Sequence, residues 1–306
     1  VILVAGATGT LGTRLVRRLH ARHLSVRVLT RDPGRAAHLA ASGVQVVRGD
    51  LRDAASVRRA AAGAETIVMA AHGFSGTGGS SPDSVDRLGN GQLVDAATAV
   101  GAAVILVSVV GASPSSPLEL FRAKYDAEVY ARRSGVPLTV VRATAFIETW
   151  IQILSEPIRR AGRGLVFGRG QNPINFVSAE AVAALVERAV VDSGLRGQTI
   201  EIGGPSNVTL TEFVALLSTH AGRRGVPGRC QPAGHAAPAA TAGVARDVDP
   251  APPASALLRR AGGRGGRDGH ARHDVRCVAA LAALPGLAGD RYSAGAGRSF
   301  LRHRGR

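Results

Sequence analysis

Val1-Ile2-Leu3-Val4-Ala5-Gly6-Ala7-Thr8-Gly9-Thr10-Leu11-Gly12 opens the chain, and an amphipathic stretch, Thr13 to His23, follows at once. The order reads as strand, glycine turn, helix. Val1, Ile2 and Val4 are β-branched and suit a buried strand. Glycines let a backbone approach a pyrophosphate closely. The first turn of a helix supplies unpaired N–H groups and a partial positive charge. The glycines stand at 6, 9 and 12, a G-x-x-G-x-x-G spacing rather than G-x-G-x-x-G. Glycines also punctuate ordinary turns, so a tight strand-to-helix turn is the competing reading. Placement between an apolar strand and a helix points to nucleotide binding, with Gly6, Ala7, Thr8, Gly9, Thr10, Leu11 and Gly12 as the phosphate-facing candidates.

The next strand bears on which dinucleotide. Ser25-Val26-Arg27-Val28-Leu29 ends at Thr30-Arg31-Asp32-Pro33. A carboxylate at this tip suits the ribose 2′-OH of NAD, whereas an arginine suits the 2′-phosphate of NADP through a planar, bidentate fork. Here the tip offers Thr30 and Arg31. Asp32 is the rival, but an Asp before Pro is suited to capping a helix that starts near Pro33. The charge logic favours NADP(H) over NAD(H), with a solvated surface arginine as the alternative reading of Arg31.

The chain has 306 residues and a formal net charge of +16. That charge is unevenly spread: residues 1–222 carry a net +6 and residues 223–306 a net +10. In the last 84 residues, 55 are Ala, Gly, Pro or Arg. Cys230 and Cys277 are the only cysteines and both lie there. These residues are encoded largely by GC-rich codons, which suggests a shifted reading frame. Residues 268–276 can be encoded so that dropping one nucleotide yields M-D-T-L-D-M-T-F-D, and residues 284–294 so that the same frame yields R-F-P-D-L-P-V-T-G-I-P. An intact in-frame gene on resequencing would sink that reading. The rivals are a disordered basic arm or a nucleic-acid-binding segment. Only Tyr292 and Phe300 supply aromatics to it, which disfavours nucleic acid. His270, His273 and Cys277 have metal-like spacing but no second cluster, so no metal site is expected.

No stretch approaches the ~20 apolar residues of a membrane span. No basic region, apolar core and cleavage site stand at the N-terminus, so no signal peptide is expected. The chain opens inside a strand, so either a few residues precede Val1 or Val1 is an initiator read literally from GTG. A cytoplasmic setting is expected.

Strands and helices then alternate. Residues 33–42 read as a helix, 44–48 as the third strand, 54–62 as a helix capped by Asp53, and 66–71 as the fourth strand. A Gly/Ser-rich loop (73–82) precedes a helix to about Val100. Ala103 to Val107 is the fifth strand, ending at Ser108. Leu118 to Ser134 is helical, closed by Gly135, and 138–142 is the sixth strand. This alternation predicts an α/β fold with a doubly wound, Rossmann-like parallel sheet over residues 1–142, with ligands at the carboxyl ends of its strands. Beyond Arg142 the rhythm changes. A helix from Phe146 to Ala161 broken by Pro157, short strands at 165–167 and 174–177, a helix capped by Ser178, a strand at 198–202 and a Thr209/Glu212 capping box predict a small irregular substrate subdomain over 143–222.

Taken together, G-A-T-G-T-L-G at 6–12, Thr30-Arg31, Gly49-Asp50-Leu51, Lys124-Tyr125-Asp126-Ala127-Glu128, Ser134-Gly135-Val136-Pro137 leading to Val141-Arg142-Ala143-Thr144-Ala145-Phe146, and Ile174-Asn175-Phe176-Val177-Ser178 carry a family resemblance. Over residues 1–222 the chain resembles the NmrA-like atypical short-chain dehydrogenase/reductases. The second shifted-frame peptide resembles that family's C-terminal end. The resemblance implies that Asp50 and Leu51 line an adenine pocket, that Ala70, Ala71 and His72 run past a ribose, and that Lys124 contacts the nicotinamide ribose. It also implies a Tyr-x-x-x-Lys pair, with Tyr as general acid. Here Leu120 stands four residues before Lys124, the chain's only lysine, and cannot donate a proton. Ser108 lies near the family's catalytic serine and Asn90 at a helix position where the family often has Asn. Ser108 and Lys124 are therefore the catalytic candidates. Tyr125 lies about 100° around the helix from Lys124 and, with Tyr130, reads as packing or surface. His72 is a replacement acid or an uninvolved loop histidine.

Two functions follow. One is NADPH-dependent hydride transfer to a small organic acceptor such as a quinone or carbonyl; quinone reduction tolerates a missing acid better. The other is a non-catalytic NADP-binding sensor that regulates a protein partner.

Overall fold

The computed structural model describes residues 1–73, 79–162, 164–222 and 228–230. The first half alternates β1 (Ile2–Ala5), α1 (Thr10–Ala21), β2 (Val26–Thr30), α2 (Ala37–Ala40), β3 (Gln45–Arg48), α3 (Ala54–Ala61), β4 (Thr66–Met69), α4 (Asn90–Val100), β5 (Ala103–Val109), α5 (Glu119–Arg133) and β6 (Leu138–Ala143). The second half contains β7 (Ala145–Phe146), α6 (Ile147–Ala161), β8 (Leu165–Phe167), β9 (Pro173–Val177), α7 (Ala179–Val191), β10 (Thr199–Ile202), β11 (Asn207–Thr209), α8 (Leu210–His220) and β12 (Gly228–Cys230).

Seven strands form one parallel sheet in the order β10-β6-β5-β4-β1-β2-β3. The strand order reverses between β1 and β4, which makes the crevice beyond their carboxyl ends the expected ligand position. Both faces are covered, and successive strand residues serve opposite layers. Ile2 and Val4 pack with Leu15, Leu19, Val182 and Val186 of α1 and α7. Leu3 and Ala5 pack with Val57, Leu93, Val94 and Ala127 of α3, α4 and α5. Double-sided burial explains why the strands read as apolar runs rather than alternating ones.

Local chemistry sets many boundaries. Asp32, Asp53 and Ser178 accept from Gly34, Ala55 and Ala181 amides at 2.9, 2.9 and 3.1 Å. Thr209 and Glu212 form the reciprocal capping box. Gly101 and Gly135 take the left-handed conformation after α4 and α5.

Four departures stand out. The fourth strand stops at Met69, leaving residues 70–73 extended beyond the sheet. Residues 82–89 form a π-helical turn before α4. Pro157 does not break α6, which runs through it to Ala161. The carbonyl that Pro157 leaves unbonded belongs to Ile153, on a solvent-exposed face where water can take the bond, while Ile151, Leu154 and Ile158 hold the other face in the core. The strands at 165–167 and 173–177 do not pair with one another. β9 sits between β11 and β7, and β8 pairs in parallel with β12, six residues past the composition break. Apart from residues 228–230, the readings placed on the basic tail, including disorder, the shifted frame and His270, His273 and Cys277, lie outside the described residues. No helix among the described residues is long and apolar enough to cross a membrane.

Candidate functional site

The turn after β1 is built by what its glycines leave out. Gly6 has φ +90°, and a Cβ there would lie 2.6 Å from the Ala70 carbonyl carbon and the Ala71 nitrogen. A Cβ on Gly12 would lie 2.2 Å from the Gly6 oxygen. Gly9 heads α1 with no side-chain cap, and the first turn holds no acidic residue. Gly9 and Thr10 are exposed and Thr8 is half-buried, whereas Ala7, Leu11 and Gly12 are buried beneath them. The outer part of the turn therefore offers free N–H groups and a positive helix end to an anion.

At the tip of β2 the two candidates differ. Thr30 is buried, and its hydroxyl donates to the Asp32 carbonyl at 3.1 Å, so it shapes the turn. Arg31 is exposed and donates to Ser80 Oγ at 3.0 Å. Asp50, half-buried, is gripped by Arg52, whose Nη2 donates to Oδ2 at 2.6 Å and whose amide donates to Oδ1 at 2.9 Å. Those bonds hold the Asp50 carboxyl below its ordinary range, with Arg31 adding a smaller pull in the same direction. Leu51 beside it is half-buried.

Across the crevice, Ala70 and Ala71 are half-buried and His72 is exposed. The His72 imidazole is pushed below its ordinary value. The protein bulk around it is the larger cause and the Lys124 cation the lesser, and Asp86 opposes them only in part. Lys124, on α5, is 4% exposed. Its Nζ donates to the Val107 carbonyl at 3.0 Å and the Ala71 carbonyl at 3.3 Å, and lies 2.9 Å from Asp86 Oδ1. Asp86, fully buried in the π-helical turn, takes the Gly73 amide on Oδ2 at 2.7 Å. Asn90 donates to the Asp86 carbonyl at 2.9 Å.

Ser108, at the tip of β5, is buried and donates to Glu128 Oε1 at 2.6 Å. Glu128 is held in turn by the Arg142 fork at 3.0 and 2.8 Å. The Ser108 proton is thus committed to that carboxylate. Leu120 is half-buried, Tyr125 is half-buried, and Tyr130 is exposed with its hydroxyl on Asp95 at 2.6 Å.

Sequence reasoning missed Asp86, Glu128 and Glu148. Glu148 accepts the Ala179 amide on both oxygens at 3.0 Å and lies 3.6 Å from Arg14 of α1. It joins the start of α7 to the first turns of α1 and α6. The contacts that tie them to other elements span 13 to 134 residues, so no local pattern signals them. Trp150 packs edge-on to Phe176, and Phe176 packs against Phe213, at 6.1 and 4.9 Å between ring centres.

Strand order and crevice define the class: a doubly wound α/β protein of Rossmann type. The chain belongs to the NAD(P)H-binding family, whose model matches residues 6–192. It is 29% identical over 224 residues to an NAD(P)H azoreductase of Xenophilus azovorans, covering 73% of this chain and 74% of that one. It is 31% identical over 227 residues to a (4-alkanoyl-5-oxo-2,5-dihydrofuran-3-yl)methyl phosphate reductase of Streptomyces griseus, with the same coverage. An NADPH-dependent quinone oxidoreductase of Escherichia coli, solved with NADPH, superposes with a TM-score of 0.63 at 24% identity, over 75% of this chain and 78% of that one.

Proposed function

We propose that the chain binds NADP(H) in the crevice between β1 and β4 and reduces a small organic acceptor, a quinone, azo or carbonyl compound. The observation that carries this is the uncapped start of α1 behind a glycine turn at the strand-order reversal. The residues fit a dinucleotide: Cβ-free backbone at Gly6 and Gly12, free amides at the helix start, and no carboxylate in its first turn. When bound, the reduced cofactor supplies a hydride. In this reading the 6–12 turn holds the pyrophosphate, Arg31 binds the 2′-phosphate, Asp50 and Leu51 border the adenine, and residues 70–72 run beside the ribose. Lys124 supports that run through the Ala71 carbonyl. Residues 1–142 form the cofactor half and residues 143–222 the acceptor side, in a cytoplasmic protein. The azoreductase and quinone oxidoreductase relatives support the acceptor class.

Titration of the full chain with NADPH and NADH, then a turnover screen with quinones and azo dyes, tests the reading. Tighter NADPH binding and oxidation of NADPH by one of these acceptors are expected. Equal affinities remove the Arg31 assignment. A second reading is a cofactor-binding regulator of a protein partner without turnover. It is favoured by Leu120 in place of an acid and by the Ser108 proton committed to Glu128. NADPH binding with no oxidation by any acceptor selects it.

A further inference from the structure

Asp86 has no side-chain exposure, and the cofactor reading above gives it no part of its own. Its Oδ2 accepts the Gly73 amide at 2.7 Å, and its Oδ1 faces Lys124 Nζ at 2.9 Å as an ion pair without hydrogen-bond alignment. Lys124 holds the Ala71 carbonyl from the other side at 3.3 Å. One buried carboxylate thus fixes both ends of the short run that carries His72. That run is not in the sheet, since β4 ends at Met69. It is also the wall against which the phosphate turn closes, because any Cβ on Gly6 would strike Ala70 and Ala71 backbone at 2.6 Å. The π-helical turn over Pro82–Gly89 brings Asp86 under the run, and Asn90 ties the Asp86 carbonyl to the start of α4. Wide turns of this kind are rare overall and frequent at functional sites.

We propose that Asp86 is a positioning residue of the dinucleotide site: through Lys124 and the Gly73 amide it sets residues 70–73 against the glycine turn. This rests on the dinucleotide reading above. Asp86 touches no ligand, and its effect passes through backbone that packs directly on Gly6.

The test is calorimetric titration of the full-length chain with NADPH, with the melting temperature measured alongside. Asp86→Ala removes both anchors and weakens NADPH binding roughly tenfold or more, the scale of a lost charge-assisted hydrogen bond. Asp86→Asn keeps an oxygen for the Gly73 amide and falls between it and the wild type. In turnover, both raise KM for NADPH more than they lower kcat. Glu187→Gln is the structural control. That carboxylate is also buried, but it pairs with Arg18 and Arg22. Arg18 lies roughly 13 Å further along α1 than the turn. It lowers the melting temperature and leaves NADPH affinity within about twofold. Asp86 variants that bind NADPH as the wild type does, or that lose no more affinity than Glu187→Gln at an equal melting temperature, overturn the proposal. A wild-type chain that binds neither NADPH nor NADH overturns the dinucleotide reading itself, and the Asp86 role with it.

Discussion

The tips of β1 and β4 and the tips of β5 and β6 lie along one edge of the same sheet, yet they are finished in opposite ways. At β5 and β6 the polar groups satisfy one another: Ser108 donates to Glu128, and Arg142 closes on both oxygens of that carboxylate. At β1 the helix that follows begins without a side-chain cap, and Gly9 and Thr10 at its start are exposed. A strand tip that answers its own hydrogen-bonding needs is scaffold. One that leaves them open has room for a ligand. Helix starts show the same contrast. α7 is capped by Ser178 and again by Glu148, whereas α1 has neither device.

The largest expected effect lies on the scaffold side. Glu128→Ala leaves the buried Ser108 hydroxyl without its acceptor and leaves Arg142 to Glu201 at 3.5 Å. It costs about 3 kcal/mol of stability, read by urea unfolding, while NADPH affinity in the surviving folded fraction is unchanged. A matching loss of affinity would break the contrast. Gly6→Ala comes next. A methyl at φ +90° against the Ala70 and Ala71 backbone costs on the order of 2–3 kcal/mol, and here NADPH binding is lost as well. Retained affinity would remove the turn from the site. Arg31→Ala weakens NADPH about tenfold and NADH little, by loss of a charge-assisted contact; the reverse pattern refutes the 2′-phosphate role. Ser178→Ala costs about 1 kcal/mol, the usual worth of an N-cap, with no change in affinity. The smallest effect is with pH. Arg52 keeps the folded Asp50 carboxyl below its ordinary value of 3.8. Its contribution is therefore complete above that value and is lost as pH falls through it toward the folded pKa. Arg52→Ala flattens this acid limb in pH-dependent unfolding.

The open half of the contrast was legible in the sequence, because its signals are local. An apolar run, three glycines and an amphipathic stretch are adjacent, and the caps at Asp32, Asp53, Ser178 and Thr209 each bond within three residues. The closed half was not. The family resemblance pointed to Ser108 and Lys124, but their partners Glu128, Val107, Ala71 and Asp86 come from other elements. Asp86 itself sits in a segment that reads as ordinary helix and folds as a π-helical turn. Pro157 misled for the complementary reason. A proline's cost depends on whether the orphaned carbonyl reaches water, and that depends on which face of α6 packs inward.

The pairing of β8 with β12 bears on how this protein should be handled. Composition invites a cut after residue 222, yet Gly228–Cys230 lies alongside Leu165–Phe167 as its parallel partner. Trimming the chain at 222 would remove β12 and leave β8 without the partner of its two-stranded sheet. Shortened versions should therefore end beyond Cys230, so that Leu165–Phe167 keeps its paired strand.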